Sequence, residues 1–271
     1  MSQQQRAETF KALHAGPEMF VIPNPWDGAS AKLLASMGFK ALTTTSAGLA
    51  FVLGKPDGGV TREQSLWNAK LIVDSVDLPV AADLENGFGH TPEDAAKTIR
   101  QAAEIGLVGG SIEDATNDPT KPIYDFDLAV ERVAAAAEAA HALSFPFTFV
   151  ARAEGFLWGQ GDLDQIIRRL QAFEKAGADV LFAPGLPNIG AIRTVVQSVN
   201  KPVNVVRGGP GPSLAELEAA GVRRVSLGGS LSRVAYTALK KAGEELLATG
   251  TFGFAEGILS TAALNKLMSG S

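Results

Sequence analysis

Two carboxylates two residues apart, Asp83 and Glu85, stand at the end of a short run of small apolar residues and just ahead of the turn Gly87-Phe88-Gly89. Such a run reads as a buried strand that delivers charge to its C-terminal end. Residues two apart in a strand share a face and lie about 6.6 Å from one another, so the two acids converge while Leu84 turns away. The glycines let backbone approach the same spot. A second apolar run, Gly109-Gly110-Ser111-Ile112, ends in Glu113 and Asp114. Carboxylates gathered at neighbouring strand ends repel one another unless a cation, a guanidinium or protons neutralise them. Asp83, Glu85 and Glu113 are therefore candidate ligands of one metal ion. Acids also end strands as helix caps or in surface salt bridges, but two clusters at equivalent places argue against that simpler account.

Other strand ends add to the list. Thr43-Thr44-Thr45-Ser46-Ala47-Gly48 is a hydroxyl-rich turn of small residues whose backbone N–H groups could hold a carboxylate, or it is merely a tight turn. The long loop that follows brings Asp57 back within reach of the same place. Val150-Ala151-Arg152 ends another apolar run, and Arg152 would either pair with the acids or grip a substrate carboxylate with its planar fork. Arg207-Gly208-Gly209-Pro210-Gly211 and Gly228-Gly229-Ser230 resemble places where barrels bind phosphate. No lysine closes a strand, which disfavours Schiff-base chemistry. His14 and His141 fall on helical segments and read as surface residues, while His90, after the acidic turn, adds little as an acid or base.

These residues need elements to position them, and a recurring phrase supplies the plan. A helix ends in glycine and a strand follows at once around Gly38, Gly106, Gly177 and Gly221, since glycine accepts the left-handed conformation that closes a helix. Thr61-Arg62-Glu63-Gln64 and Thr91-Pro92-Glu93-Asp94 are helix starts, with caps and acids set against the dipole. Apolar runs near 19–22, 41–44, 79–83, 109–113, 147–152, 179–183, 202–206 and 224–227 make eight strands. Eight parallel strand-helix units predict an α/β fold of the (β/α)8 TIM-barrel type, with functional groups on the loops after the strands. An open doubly wound sheet would show a glycine-rich loop after the first strand, and Pro23-Asn24-Pro25-Trp26 is not one. The chain reads as a single domain over 1–271, with 249–271 as a C-terminal helical extension. The apolar residues Ile258, Leu259, Leu264 and Leu267 of that extension need a partner surface, on the chain's own barrel or on a neighbouring subunit.

Composition limits the partners. A formal net charge of −5 offers no basic excess for nucleic acid or an acidic membrane. The absence of cysteine excludes disulfides, thiolate metal sites and cysteine nucleophiles. No signal sequence precedes the first helix and no apolar run reaches a membrane span, so the expected location is cytoplasmic.

Together, Asp83-Leu84-Glu85-Asn86-Gly87-Phe88-Gly89, Ser111-Ile112-Glu113-Asp114, Leu53-Gly54-Lys55-Pro56-Asp57 and Val150-Ala151-Arg152 resemble the isocitrate lyase and phosphoenolpyruvate mutase superfamily over nearly the whole chain. The resemblance implies a Mg2+-dependent barrel, with Mn2+ as a substitute, that makes or breaks a C–C or P–C bond next to a 2-oxo acid. It casts Asp83 as the nearest metal ligand, with Glu85 and Glu113 holding the ion directly or through waters. Thr45, Ser46 and Ala47 become the backbone cradle for the substrate carboxylate, and Asp57 and Arg152 the active-site pair. Lyases of the family carry a Lys-Lys(or Arg)-Cys-Gly-His loop soon after the Glu-Asp pair, where this chain reads Ala115-Thr116-Asn117-Asp118-Pro119-Thr120-Lys121-Pro122. The acid that would protonate the departing product is thus missing from its usual place.

The expected function is a Mg2+-dependent lyase or decarboxylase acting on a small 2-oxo or hydroxy carboxylate through a metal-stabilised enolate, with oxaloacetate turned over faster than isocitrate. Alternatives are a phosphonate mutase or hydrolase of the same superfamily, and a catalytically silent barrel that binds a metabolite. A homo-oligomer, dimer or tetramer, is expected from the surplus C-terminal segment.

Overall fold

The computed structural model describes residues 1–269. Eight strands alternate with helices: β1 (Phe20–Ile22), β2 (Leu42–Thr43), β3 (Val80–Asp83), β4 (Gly109–Glu113), β5 (Thr148–Arg152), β6 (Val180–Phe182), β7 (Val203–Val206) and β8 (Arg224–Ser226). Every pairing is parallel, in the order β1-β8-β7-β6-β5-β4-β3-β2. The strands lie where the apolar runs placed them. The barrel is nearly closed, because β1 and β2 share no ladder. Their seam is bridged by the Thr43 N–H donating to Pro23 O at 3.1 Å and by the Asn24 amide donating to Thr44 O at 2.8 Å.

Among the described residues eleven α-helices surround the sheet: α1 (Gln3–Ala15), α2 (Gly28–Ser36), α3 (Ser46–Val52), α4 (Arg62–Ser75), α5 (Pro92–Glu104), α6 (Phe126–His141), α7 (Leu163–Lys175), α8 (Ile189–Ser198), α9 (Leu214–Ala219), α10 (Ser230–Thr249) and α11 (Thr261–Ser269). The capping signals operate as read. Thr61 accepts from Gln64 N and Thr91 from Asp94 N, and both boxes are reciprocal. The main core lies between strands and helices, where Ile99, Phe149, Phe173 and Leu181 are fully buried. Among the described residues no helix is long and apolar enough to cross a membrane.

Three sequence expectations change. The hydroxyl-rich turn after β2 runs straight into a short helix, α3, which Thr45 caps by accepting from Gly48 N at 3.3 Å. His14 is not a surface residue. It shares the buried stripe of Phe10, one helical turn away, and its ring sits edge-on between Phe10 and Phe20. Its Nδ1 bonds to Phe10 O at 2.8 Å and its Nε2 faces the guanidinium of buried Arg224 at 3.3 Å. The C-terminal segment 249–271, whose last two residues lie outside the described ones, forms a single 3-10 turn at Gly253–Ala255 and an α-helix only from Thr261. That helix packs on α2, where the Lys32 ammonium bonds to Met268 O.

Candidate active site

The side chains singled out above meet at the C-terminal ends of β3, β4 and β5. Register explains why. Asp83 pairs with Ser111 across β3–β4, and Glu113 pairs with Arg152 across β4–β5, so the charged residues reach one level. Arg152 sits among them. Its Nη1 donates to Asp83 Oδ1 at 2.8 Å, its Nη2 lies 3.2 Å from Glu113 Oε2, and its Nε donates to Glu154 Oε1 at 2.8 Å. Burial works against the guanidinium charge, but Glu154, Glu113 and Asp83 together outweigh it and raise the Arg152 pKa. Of the two roles open to Arg152, the structure describes the ion pair with the acids.

Asp83 is held on both oxygens. Oδ2 accepts from Ser46 N at 3.2 Å and Oδ1 also accepts from Glu85 N at 3.3 Å. The Asp83 N–H in turn donates to Thr44 Oγ1 at 3.0 Å. The first turn of α3 thus faces the acid cluster, with Ser46 in direct contact and Thr45 as its cap.

Glu85 is the least satisfied member. It is buried, its Oε1 has no hydrogen-bond partner, and burial, then Asp83, then Asp57 push its carboxyl up to about 8. Glu113 is raised well above the ordinary range, first by burial, although Arg152 opposes the shift. Asp57 is raised by burial and then by Asp83, while hydrogen bonds from Gly58 and Ser46 pull the other way. Asp114 points away from this group, accepting from Glu154 N at 2.7 Å and from Arg169 at 3.2 Å.

Glu154 was missed by the sequence reading, which stopped at Arg152. It is the next residue on the same strand face, and that period of two was the available signal. Arg62 and Arg132, also missed, come from α4 and α6. Arg62 donates to Gly87 O at 3.0 Å and Arg132 to Thr91 O at 3.0 Å and to Asn86 O, so both grip the turn that carries Glu85. Helical spacing gives no warning of so distant a contact.

Beside Glu85 lies a cavity of about 400 Å³ lined by Arg62, Asn86, His90, Thr116 and Asn117 among others. Glu85 (φ 46°), Phe88 (φ 56°) and Asn117 (φ 63°) are the non-glycine residues with left-handed backbone among the described residues, and all three line this cavity. Such conformations cost roughly 1–3 kcal/mol each and gather where the surrounding structure enforces them for function. A wider cleft of about 570 Å³, between Lys11 and Lys201, lies at the opposite ends of the strands and away from the acids.

Of the two turns that resemble phosphate sites, the one after β7 is engaged in packing within the chain. A Cβ on Gly208 would lie 1.6 Å from Ser230 Oγ, so glycine there serves close packing, and Arg207 donates to Gly209 O and Pro210 O.

Among the described residues no group of three His, Cys, Asp or Glu side chains forms a ready-made metal cage. The donor chemistry nevertheless suits a hard divalent ion. The carboxyls outnumber the one guanidinium, burial and mutual repulsion raise those of Asp57, Glu85 and Glu113, and one buried Glu85 oxygen has no partner among the described residues. Mg2+ commonly takes one or two carboxylates and keeps several waters, so Asp83, Glu85 and Glu113 need not all bind directly.

Comparison with known proteins agrees with this site. The phosphoenolpyruvate phosphomutase family model matches residues 10–247. A Corynebacterium glutamicum protein named probable 2-methylisocitrate lyase 2 is 29% identical over 189 residues, which span 67% of this chain and 60% of that relative's length. The crystal structure of a provisionally named lyase/mutase of Burkholderia cenocepacia J2315 is 52% identical, covers 97% of this chain and 95% of its own, and superposes with a TM-score of 0.95. Oxaloacetate acetylhydrolase in complex with oxalate is 27% identical with a TM-score of 0.88, covering 99% of this chain and 95% of its own. With its acids at the strand ends of a matching barrel, the chain belongs to the phosphoenolpyruvate phosphomutase family of the isocitrate lyase and phosphoenolpyruvate mutase superfamily.

Proposed function

We propose that the protein is a Mg2+-dependent lyase that cleaves a C–C bond in a small 2-hydroxy or 2-oxo carboxylate. The observation that carries this reading is the carboxyl cluster of half-buried Asp83 and Glu113 and buried Glu85 around Arg152, bordered by a cavity and holding a Glu85 oxygen without a partner among the described residues. Relatives named as a 2-methylisocitrate lyase and an oxaloacetate acetylhydrolase support the substrate class.

Asp83, Glu85 and Glu113 would hold the ion, which when bound supplies a Lewis acid for substrate oxygens. Asp57 is the base. Burial and then Asp83 raise its carboxyl above the ordinary range, which makes it a stronger acceptor for a hydroxyl proton. The substrate carboxylate meets the start of α3 at the Ala47 N–H, beside Ser46, whose own N–H is donated to Asp83, with Thr45 fixing that turn. Arg152 keeps Asp83, Glu113 and Glu154 in register and lowers the cost of crowding them.

A homo-oligomer belongs to the same proposal. Helix α10 leaves Val234, Leu239 and Leu247 at 65%, 69% and 92% exposure, and buries only Ser232. A second subunit would cover that face.

The test is a panel of racemic 2-methylisocitrate, 2,3-dimethylmalate and oxaloacetate with Mg2+ or Mn2+, following release of a 2-oxo acid or oxalate. Turnover of at least one is expected. Failure on all three, with oxalate still binding in calorimetry, would make the barrel a metabolite-binding protein.

A further inference from the structure

The cavity beside Glu85 contains one imidazole, that of His90. Its Nδ1 lies 2.7 Å from the Tyr124 hydroxyl, and the two rings meet edge to face with centroids 5.9 Å apart. Tyr124 is firmly placed. It is buried, its N–H donates to Asp114 O at 2.9 Å, and the Arg132 guanidinium lies 4.4 Å from its ring centroid. Arg132 also binds the carbonyls of Asn86 and Thr91, on either side of His90 in the chain. The imidazole is thus oriented by a buried residue that α6 fixes in place. Its Nε2 has no protein partner among the described residues, while the ring edge remains open to solvent.

Breaking a C–C bond next to a carboxylate leaves an electron pair on carbon, and that carbon must take up a proton. Asp83 and Glu113 are paired with Arg152, whereas His90 and Glu85 line the cavity beside them. We infer that His90, oriented by Tyr124, is the proton donor for the carbon released in the cleavage; this rests on the lyase reading above. For a 2-hydroxy acid, Asp57 removes the hydroxyl proton and the carbonyl forms as the adjacent C–C bond breaks. The bond's electron pair passes to the leaving carbon, which takes the proton from Nε2 of the imidazolium to form a C–H bond. One proton is removed and one is returned, so no oxidant or reductant is required. The neutral ring keeps its Nδ1–H on the Tyr124 oxygen, whose own proton turns toward Gly89 O at 3.4 Å. Exposed His90 then regains a proton from water.

The experiment compares the parent with His90→Gln and Tyr124→Phe on racemic 2-methylisocitrate and Mg2+ in D2O. A general acid is worth about 10²–10⁴ in rate, so His90→Gln is expected to lower kcat about 100-fold or more and to leave KM within about threefold. The parent's succinate should carry one deuteron in a single configuration, and that of His90→Gln a random one, because water then delivers the deuteron from either side. Tyr124→Phe, which keeps the imidazole and loses its orienting hydroxyl, should lower kcat several-fold with KM unchanged. A His90→Gln enzyme with parental kcat, or with lowered kcat but a single product configuration, overturns the inference and leaves the lyase reading standing. A parent that releases no pyruvate from this substrate or from 2,3-dimethylmalate overturns the inference, and the lyase reading falls with it only where oxaloacetate yields no oxalate either.

Discussion

Arg152 Nη1 lies 2.8 Å from Asp83 Oδ1, and the same guanidinium reaches Glu113 and Glu154 with its remaining nitrogens. One cation therefore holds three acids from three strand ends, half-buried Asp83 and Glu113 and buried Glu154. Removing it leaves uncompensated charge in a low-dielectric place, for which the cost is about 3–5 kcal/mol. Arg152→Met should unfold in urea at a midpoint well below the parent's, with part of the loss recovered at mildly acidic pH as the carboxyls protonate.

The conservative change separates two roles. Arg152→Lys keeps the charge but cannot serve three carboxylates with one planar fork. If the ion pair is the main role, oxalate affinity and Mn2+ affinity should weaken together in calorimetry. Weakened oxalate binding with unchanged metal affinity would show instead that Arg152 grips the substrate carboxylate.

Asp83→Ala removes the carboxylate at the centre of the cluster. Mg2+ or Mn2+ affinity should fall at least about tenfold, in line with loss of a charge-assisted contact worth roughly 1.5–3 kcal/mol. Binding as tight as the parent's would take Asp83 out of the metal site.

How far the site was legible depended on distance along the chain. Asp83, Glu85 and Glu113 were visible because they end two apolar runs, the first two acids one run and Glu113 the next, and parallel register carries such ends to one level whatever the loops between them do. Glu154 stood in the same pattern, two residues after Arg152. The grip of Arg62 and Arg132 on the Glu85 turn had no local signal, since both side chains cross from outer helices. Helix α3 was hidden by its own composition, because a threonine cap followed by Ser46, Ala47 and Gly48 reads equally well as a turn. His14 was misjudged on chemistry: an imidazole needs only one acceptor and one donor to be buried, and Phe10 O and Arg224 supply them.

That burial has a pH signature. Desolvation, then Arg224, lower the His14 pKa from 6.5 to about 3. The unfolded chain then binds a proton that the folded chain refuses, so stability is complete above about pH 6.5 and falls as pH drops toward 3, by at most roughly 1.4 kcal/mol per pH unit. Denaturation midpoints between pH 7 and pH 4 should fall less steeply in His14→Gln than in the parent. Equal slopes would exclude His14 as the source.

The exposed face of α10 gives an assembly prediction. Light scattering at micromolar concentration should report a multiple of the 28.2 kDa chain mass, and Leu239→Asp should shift it toward the single chain. A monomeric parent would remove the second subunit.

The unladdered seam between β1 and β2 bears on motion. Elsewhere each strand is sewn to both neighbours, but here the Thr43–Pro23 bond and the Asn24 side-chain amide carry the join, and the Oδ1 of that same amide accepts from Leu227 N and Gly228 N. Fluctuations that open the cylinder cost least at such a place. The segment freed first would be the one leading into Ser46, whose N–H bears on Asp83. In native-state hydrogen exchange the Thr43 amide should therefore trade its proton sooner than Ile112 in β4, and oxalate with Mg2+, by engaging the start of α3, should slow it. The gap in the staves would then be the hinge through which occupancy of the mouth is felt by the wall.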